Sequence, residues 1–506
     1  MDTTTRPGSA VGATRSGAVP ALLAAPHLVD VAAPGMEGLA RWLAGAGADV
    51  TGSVRADVAC SPVVAALEAA GVRVHVGFDP AHVGAERSAV VWSSAVAAPH
   101  PELDRARAVH LPVLGRAAAL RAITADAGAV TVAVGGSHST TTAAAALAAV
   151  LDDGHTGWIL NTPAIGGVAG HAAGHRIVAD FCPDTTTHEA APPYAWQHHP
   201  APHLPNLEPR FTAALITSTN ANAPHYEDRV AGLDAGERLA RRADTVVLPA
   251  WDASMANLHE RLTHRPGPDL VTVGTDAAST VRIIHLARNG TGFHAVLRHR
   301  AEGHTFDLPV AGRHHALAVC AAIATALVIG EDPQAVAQRA TAFPGARRSL
   351  TVLGEEGGVR VVDSRARHPR EIAQDVQAAK TLTEGSLVVA LTPDGLARAG
   401  AHAAELGDAL ADADRVLLLP VDTPLTHHTL PDPLDGIERA ARRRLVPAAV
   451  HRLRTGRNAA RPEQRIGALV DTGDMVLVVG TGSAEQLGPR LLTHLAQPGM
   501  ATPQQP

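Results

Sequence analysis

The chain is nearly without lysine. Of its 43 basic residues only Lys380 is a lysine, and the remainder are arginine. Any chemistry that needs an ammonium group must use Lys380 or do without. Cysteine is also scarce. Cys60, Cys182 and Cys320 are odd in number and far apart, which excludes a disulfide framework and metal-knuckle spacing and fits a reducing cytoplasm. No apolar run reaches the roughly 18–20 residues that would span a bilayer, so membrane insertion is not expected. The opening MDTTTRPGSAVGATRSG lacks the apolar core of a signal peptide, and residues 1–25 read as a disordered leader. Nor is there an excess of positive charge. With 43 basic against 49 acidic residues the net charge is −6, which argues against a nucleic-acid binder and against a polybasic membrane-surface protein. Repeats with a period of 20–50 residues are absent.

What is present is length and pattern. The 506 residues are 46% hydrophobic, enough for three domains with buried cores and no need of covalent staples. Short apolar runs alternate with Ala/Leu-rich stretches of helical period, the signature of parallel sheets with crossover helices. The expected divisions are 26–127, 128–344 and 345–498, with a tail at 499–506. The first contains the strands in HLVDV, VRVHVGF, SAVVWSS and LPVLG. The second opens with the strand Ala129–Val134, the turn GGSHS and the helix TTTAAAALAAVL. It continues through strands at Ala213–Ala221 and Asp244–Asp252, antiparallel strands over Val271–Leu308, and the helix RHHALAVCAAIATALVIG. Asp184–Pro209, rich in Pro and His, predicts a long loop. The third holds four buried-type strands: VRVVDS, SLVVALTP, RVLLLPVD and DMVLVVGTG.

Several segments carry specific patterns: HLVDVAAPGMEGLA, WSSAVAAPHPEL, GRAAAL, VAVGGSHSTTTAA, AGRHHALA, FPGARRSL, VVDSRARHPREI and MVLVVGTGS. In this order and at this spacing, from about His27 to Leu492, they resemble the motifs of the Mur ligase family, and within it the UDP-N-acetylmuramate–L-alanine ligase branch. The resemblance implies a three-domain α/β architecture. A Rossmann-like N-terminal domain would bind a UDP-sugar, a central P-loop-type domain ATP and Mg²⁺, and a Rossmann-like C-terminal domain the incoming amino acid. The implied reaction activates a carboxylate as an acyl phosphate, which the amine then attacks to give an amide. It also implies substrate-binding roles for Gly35, Met36, Ser93, Ser94, Arg116 and Arg398, and nucleotide-binding roles for Gly136, Ser137, His138, Ser139, Thr140, Thr141, Thr142, Asp363 and His368. Arg398 also reads as a solvent-facing helix arginine.

The same resemblance exposes losses. A P-loop cradles phosphates with backbone N–H groups at a helix N-terminus, reaches them with a Lys and holds Mg²⁺ through a Ser/Thr hydroxyl. Here the family's second loop Gly is Ser139 and its Lys is Thr140, while Thr141 keeps the hydroxyl. Removing one positioned charge from a phosphoryl transition state typically costs a few kcal/mol, or about 10²–10³ in rate. The loop also reads simply as a strand–turn–helix junction. The family's metal-binding Glu falls on Pro183 and its His on Ala223, which leaves Thr141, Asp180, Asp184 and His225 as candidate ligands. Ala318, Ser349, Ser364 and Arg365 stand where the family has Asn, Arg, Asp and Tyr. In the first domain Asp30, Ala32 and Ala33 replace loop glycines, and Asp30 sets a carboxylate where a diphosphate would approach.

Loss of chemistry with retention of fold predicts a catalytically impaired pseudo-ligase. Its role would be binding or regulation in peptidoglycan metabolism by pairing with an active Mur ligase, with ATP and Mg²⁺ sites degraded. An active but divergent ATP-dependent amide ligase and a UDP-sugar-binding protein remain open as alternatives. Among the 28 histidines, His188, His198, His199 and His203 read as solvated loop residues rather than a metal set, and His314–His315 and His427–His428 likewise. Cys320 reads as core, and Cys182 lacks a partner for nucleophilic chemistry.

Overall fold

A computed structural model describes residues 19–92, 96, 99–126, 130–181, 209–219, 229–421, 432–453 and 461–497. Its described residues form three sheets of five, ten and six strands. The first runs Arg73–Val76, Thr51–Val54, Pro26–Leu28, Ala89–Trp92, Val113–Gly115, parallel throughout. The strand order reverses between Pro26–Leu28 and Ala89–Trp92, and at such a reversal a crevice opens beyond the carboxyl ends of the strands. Strands here are only three to four residues long. Their stability comes from the amphipathic helix Met36–Gly45, which buries Met36, Leu39, Trp42 and Leu43.

The second sheet has Val130–Gly135 near its middle, between Phe211–Ile216 and Arg176–Phe181. Strands Ala243–Pro249 and Asp269–Gly274 extend it in parallel on one side, and Thr156–Ile159 on the other. Antiparallel pairs close both ends: Val281–Asn289, Gly292–His299 and Glu302–Leu308 at one, Gly170–Gly174 at the other. Two readings of the sequence change here. The antiparallel run begins at Val281, not Val271, because Asp269–Gly274 pairs in parallel with both of its neighbours. The strands at 156–159 and 170–174 carry too few apolar residues in alternation to announce themselves. Helices Thr140–Leu151 and Arg313–Val328 pack together, and their runs of alanine bury them on nearly every side.

The third sheet runs Ser349–Glu356, Val359–Ser364, Met475–Gly480, Leu387–Thr392, Arg415–Leu418, Val450–Arg452, with only the first pair antiparallel. Its four long central runs are those read from the sequence, and the two outer strands are additions. No helix among the described residues is long and apolar enough to cross a membrane.

Where the helix Met36–Gly45 meets the second sheet, glycine sets the distance. A Cβ at Gly170 would lie 1.9 Å from the carbonyl oxygen of Gly38, and one at Gly38 would lie 2.4 Å from that of Leu160. The backbones approach as closely as backbones can, so neither position accepts a side chain.

Candidate functional site

The strand Val130–Gly135 delivers its loop, Gly136–Ser139, to the start of the helix Thr140–Leu151 at the carboxyl edge of the second sheet. Ser139 is left-handed, with φ 61° and ψ 2°. A Cβ in that conformation costs about 1–2 kcal/mol, which a glycine would not incur. The loop is tied down from within. Ser137 N–H donates to the Ser218 carbonyl at 3.0 Å and its hydroxyl to Ser218 Oγ at 3.0 Å. Thr217 Oγ1 donates to the His138 carbonyl at 2.6 Å. His138 Nε2 stands 3.0 Å from Asp252 Oδ2. Asp252 also accepts the Ser254 N–H at 2.9 Å and hydroxyl at 2.5 Å. Burial alone would raise the Asp252 pKa, but the bonds from His138 and Ser254 win and hold it down to about 2.

The N–H at the start of this helix is already taken. Ser139 N–H donates to Glu371 Oε1 at 2.9 Å across a sequence separation of 232 residues. Glu371 stands in the first turn of the helix Pro369–Lys380 from the third unit. A backbone N–H at a helix N-terminus is an anion-binding group, and here the anion is the chain's own carboxylate. Thr140, at the family's Lys position, is buried, and Thr142 Oγ1 lies 3.5 Å from Ser349 Oγ. Lys380 is no substitute, because it lies at the far end of the Glu371 helix and pairs with Asp414.

Asp363 and His368 stand nearby but are engaged. Arg348 clamps both oxygens of Asp363, at 2.7 and 3.0 Å, and also donates to the Gly480 carbonyl at 2.7 Å. Burial raises the Asp363 pKa against the pull of Arg348. His368 caps its helix by accepting the Arg370 N–H at 3.2 Å. Its ring lies 5.7 Å from that of His138 and 6.0 Å from that of His402. Burial, reinforced by those two rings and Arg370 against the pull of Glu371, pushes its pKa down to about 4.

Asp180 ends the neighbouring strand, in register with Val134, and is fully buried. Its Oδ2 accepts the Asn161 N–H at 3.2 Å, and Oδ1 has no hydrogen-bond partner among the described residues. Burial raises its pKa to about 6 although Arg116 and Arg365 oppose the shift. Arg116 donates to the Gly35 carbonyl at 2.9 Å and the Asp180 carbonyl at 3.2 Å, so it ties the first unit to the second. Gly35 is left-handed (φ 80°), and a Cβ there would lie 2.3 Å from Asn161 Oδ1. Met36 is fully buried in the core of the first unit. Thr141 is half-buried beside the loop. Arg398 lies on the short helix Leu396–Ala401, its side chain outside the described set. Ser93, Ser94, Cys182, Asp184, His188, His198, His199, His203, His225, His427 and His428 all fall outside the described residues.

At the carboxyl edge of the first sheet, Glu102 is fully buried. It accepts the Ser53 hydroxyl at 2.6 Å and stands 3.0 Å from His82 Nδ1. Burial pushes its pKa up, but the nearby His27 ring and the bonds from Ser53 and His82 outweigh this and hold it down. Asp30, with φ 54°, sits at the same edge, its carboxyl raised by burial against Arg55. Neither Glu102 nor Glu371, Asp252 and Arg348 was singled out from the sequence. Glu371 alone left a signal there, as the acidic residue just after His368-Pro369.

Residues 26–127 match the model of the Mur ligase family, catalytic domain, and residues 347–482 that of the Mur ligase, glutamate ligase domain. The chain is 34% identical over 481 residues to a UDP-N-acetylmuramate–L-alanine ligase of Kineococcus radiotolerans, covering 93% of this chain and 96% of that one. It is 32% identical over 474 residues to that of Acidothermus cellulolyticus, covering 92% and 94%. In fold it is similar to the UDP-N-acetylmuramate–alanine ligase of Thermotoga maritima, with a TM-score of 0.72 at 20% identity over 93% of this chain and 98% of that one. The likeness at 34% identity runs through all three sheets and both ends of the chain's ordered motifs, and the protein belongs to the Mur ligase family.

Proposed function

We propose that this chain is a Mur-ligase homologue whose ATP-dependent activation step is lost or strongly impaired, and that it serves a binding or regulatory role in peptidoglycan metabolism. The ligand class is a UDP-sugar of the UDP-N-acetylmuramate type, and the partner is an active Mur ligase. In this reading 26–127, 128–344 and 345–498 act as sugar-nucleotide, degenerate nucleotide and closing units. Gly35, Ser93, Ser94, Arg116 and Arg398 would serve the first ligand.

The observation that carries the reading is the Glu371 carboxylate on Ser139 N–H. A triphosphate would have to displace it, or lie against it with like charge in a partly buried site. It would do so with no lysine to neutralise the phosphates and a Cβ on the loop's left-handed residue. The residues present do not fit a bound triphosphate, and no step through ATP follows from them. For Mg²⁺, Thr141 and Asp180 are the surviving oxygen donors within the described residues, too few for an octahedral all-oxygen site without help from water and phosphate.

Two observations favour an active divergent amide ligase as the second reading. The likeness to ligases covers nearly the whole chain, and the unbonded Asp180 Oδ1 beside the loop strand is a remnant place for a cation or proton. Calorimetric titration with ATP and Mg²⁺ separates the two. The impaired reading expects no saturation at millimolar ATP together with saturable binding of UDP-N-acetylmuramate. Micromolar Mg²⁺-dependent ATP binding, or ADP release dependent on an amino acid, would overturn it.

A further inference from the structure

His314 and His315 follow one another in the first turn of the helix Arg313–Val328. Neighbours along a helix normally point apart, yet these rings lie 3.9 Å apart between centroids. Both direct Nε2 at one carboxylate, that of Asp375 on the helix Pro369–Lys380. Oδ1 is 2.8 Å from His314 Nε2 and 3.8 Å from His315 Nε2. The three donor atoms lie within 4.8 Å of one another, the one such group of His, Cys, Asp and Glu found among the described residues.

The outer contacts prepare these donors. His315 Nδ1–H donates to the Ala311 carbonyl at 2.8 Å, which leaves the Nε2 lone pair facing Asp375. Ser364 Oγ–H donates to Asp375 Oδ2, which leaves Oδ1 for the histidines. A carbonyl on the far nitrogen of a histidine and a hydroxyl on the far oxygen of a carboxylate are the usual outer partners of metal ligands. Two imidazoles share one carboxylate oxygen, so a single proton cannot satisfy both. We propose that His314, His315 and Asp375 bind a divalent transition metal of the zinc class, which fastens the third unit to the central one. Donors about 2.0–2.2 Å from a tetrahedral zinc stand roughly 3.3–3.5 Å apart. The 2.8 and 3.8 Å separations bracket that spacing, and the two histidine nitrogens lie within 4.8 Å of each other. Two nitrogens and one oxygen suit zinc, cobalt(II) or nickel rather than magnesium, which takes oxygen donors. Glu371 lies one turn before Asp375 on the same helix, so a bound ion would also hold Glu371 on Ser139 N–H.

The site does not depend on the fate of ATP, and its test uses Zn²⁺ and Co²⁺ on the full chain. One equivalent of Zn²⁺ is expected to bind at least tenfold more tightly to the wild type than to Asp375→Asn or His315→Gln, and to raise the melting temperature of the wild type alone. Co²⁺ is expected to give visible ligand-field bands that survive His198→Ala/His199→Ala/His203→Ala and vanish in Asp375→Asn. X-ray absorption of the zinc-loaded wild type, which needs no variant to fold, is expected to find two imidazoles per zinc. Equal affinity in wild type and variants, bands lost only in the triple variant, or a shell of three or four imidazoles would overturn the assignment.

Discussion

The two seams of this molecule are built from different materials. Between the first and central units the contact is backbone on backbone. Gly38 meets Gly170, and Arg116 reaches from one unit to carbonyls of both. Between the central and third units a hinge of backbone bonds, Ile165 N–H to the Gly345 carbonyl and Arg347 N–H to the Pro163 carbonyl, is joined by titratable groups. Glu371 sits on Ser139 N–H, Asp375 faces His314, and the ring of His368 lies near that of His138. A seam of close glycine contacts has one fit. A seam of carboxylates and imidazoles responds to protons, anions and metal ions. The nucleotide loop of this family resemblance lies on the second, responsive seam.

The largest expected effect tests the rigid seam. Gly170→Val drives a side chain into the Gly38 carbonyl and is expected to lower stability by about 3 kcal/mol or more, read by thermal unfolding. Gly400→Ala, in a helix with open space around it, should instead change stability by less than about 1 kcal/mol, in the stabilising direction. Equal losses at the two sites would dissolve the contrast.

Next comes the occupant of the loop. The triple variant Ser139→Gly, Thr140→Lys, Glu371→Ala removes the Cβ and the competing carboxylate and restores a cation. Removing a like charge from the loop and adding an opposite one both favour a bound polyanion. ATP affinity is therefore expected to rise by at least about 10²-fold in calorimetry. No gain would mean that the obstacle lies elsewhere, in the metal donors. A smaller effect concerns protons. Burial keeps His368 neutral in the fold, with a pKa of about 4 against an ordinary 6.5. The unfolded chain therefore takes up this proton first. The stability contributed is complete above about pH 6.5 and declines as the pH falls towards 4. After discounting for partial exposure, the decline between pH 7 and 5 is about 1 kcal/mol. His368→Gln should flatten that part of the denaturation–pH profile, and an unchanged profile would remove His368 from the responsive seam. Smallest is Ser139→Gly alone, expected to add at most about 1 kcal/mol by relieving the left-handed conformation, since glycine also gains freedom in the unfolded chain.

Much of the fold was legible in the chain because parallel strands buried on both faces announce themselves. VTVAV, LVVAL and MVLVV have no other reading beside helices of the period of Thr140–Leu151. The short strand Thr156–Ile159 and the hairpin partner Gly170–Gly174 were not legible, because Gly170 is there for closeness rather than for apolar surface. That Ser139 and Thr140 stand where the resemblance would have a glycine and a lysine could be read directly, residue against residue. The substitute could not. Ser139 and Glu371 are brought together only by docking of the third unit, and no local pattern reports a contact between such distant segments. The same holds for the carboxylate facing His314 and His315. The histidine pair alone resembled solvated surface, and Asp375 gave it a partner only in three dimensions.

Lys380 deserves a second use. It is the only side-chain amine in the chain, and its own side chain is 39% exposed. It ends the same helix that begins with Glu371 and carries Asp375. Nine residues separate Lys380 from Glu371, about 13 Å along a helix. An amine-reactive dye therefore has one lysine address, at the end of the rod opposite the turn that rests on the Ser139 loop. Anisotropy and lifetime of that dye would report, with no residue substituted, whether the rod stays docked or swings away as a sugar nucleotide, a metal ion or a second protein is added.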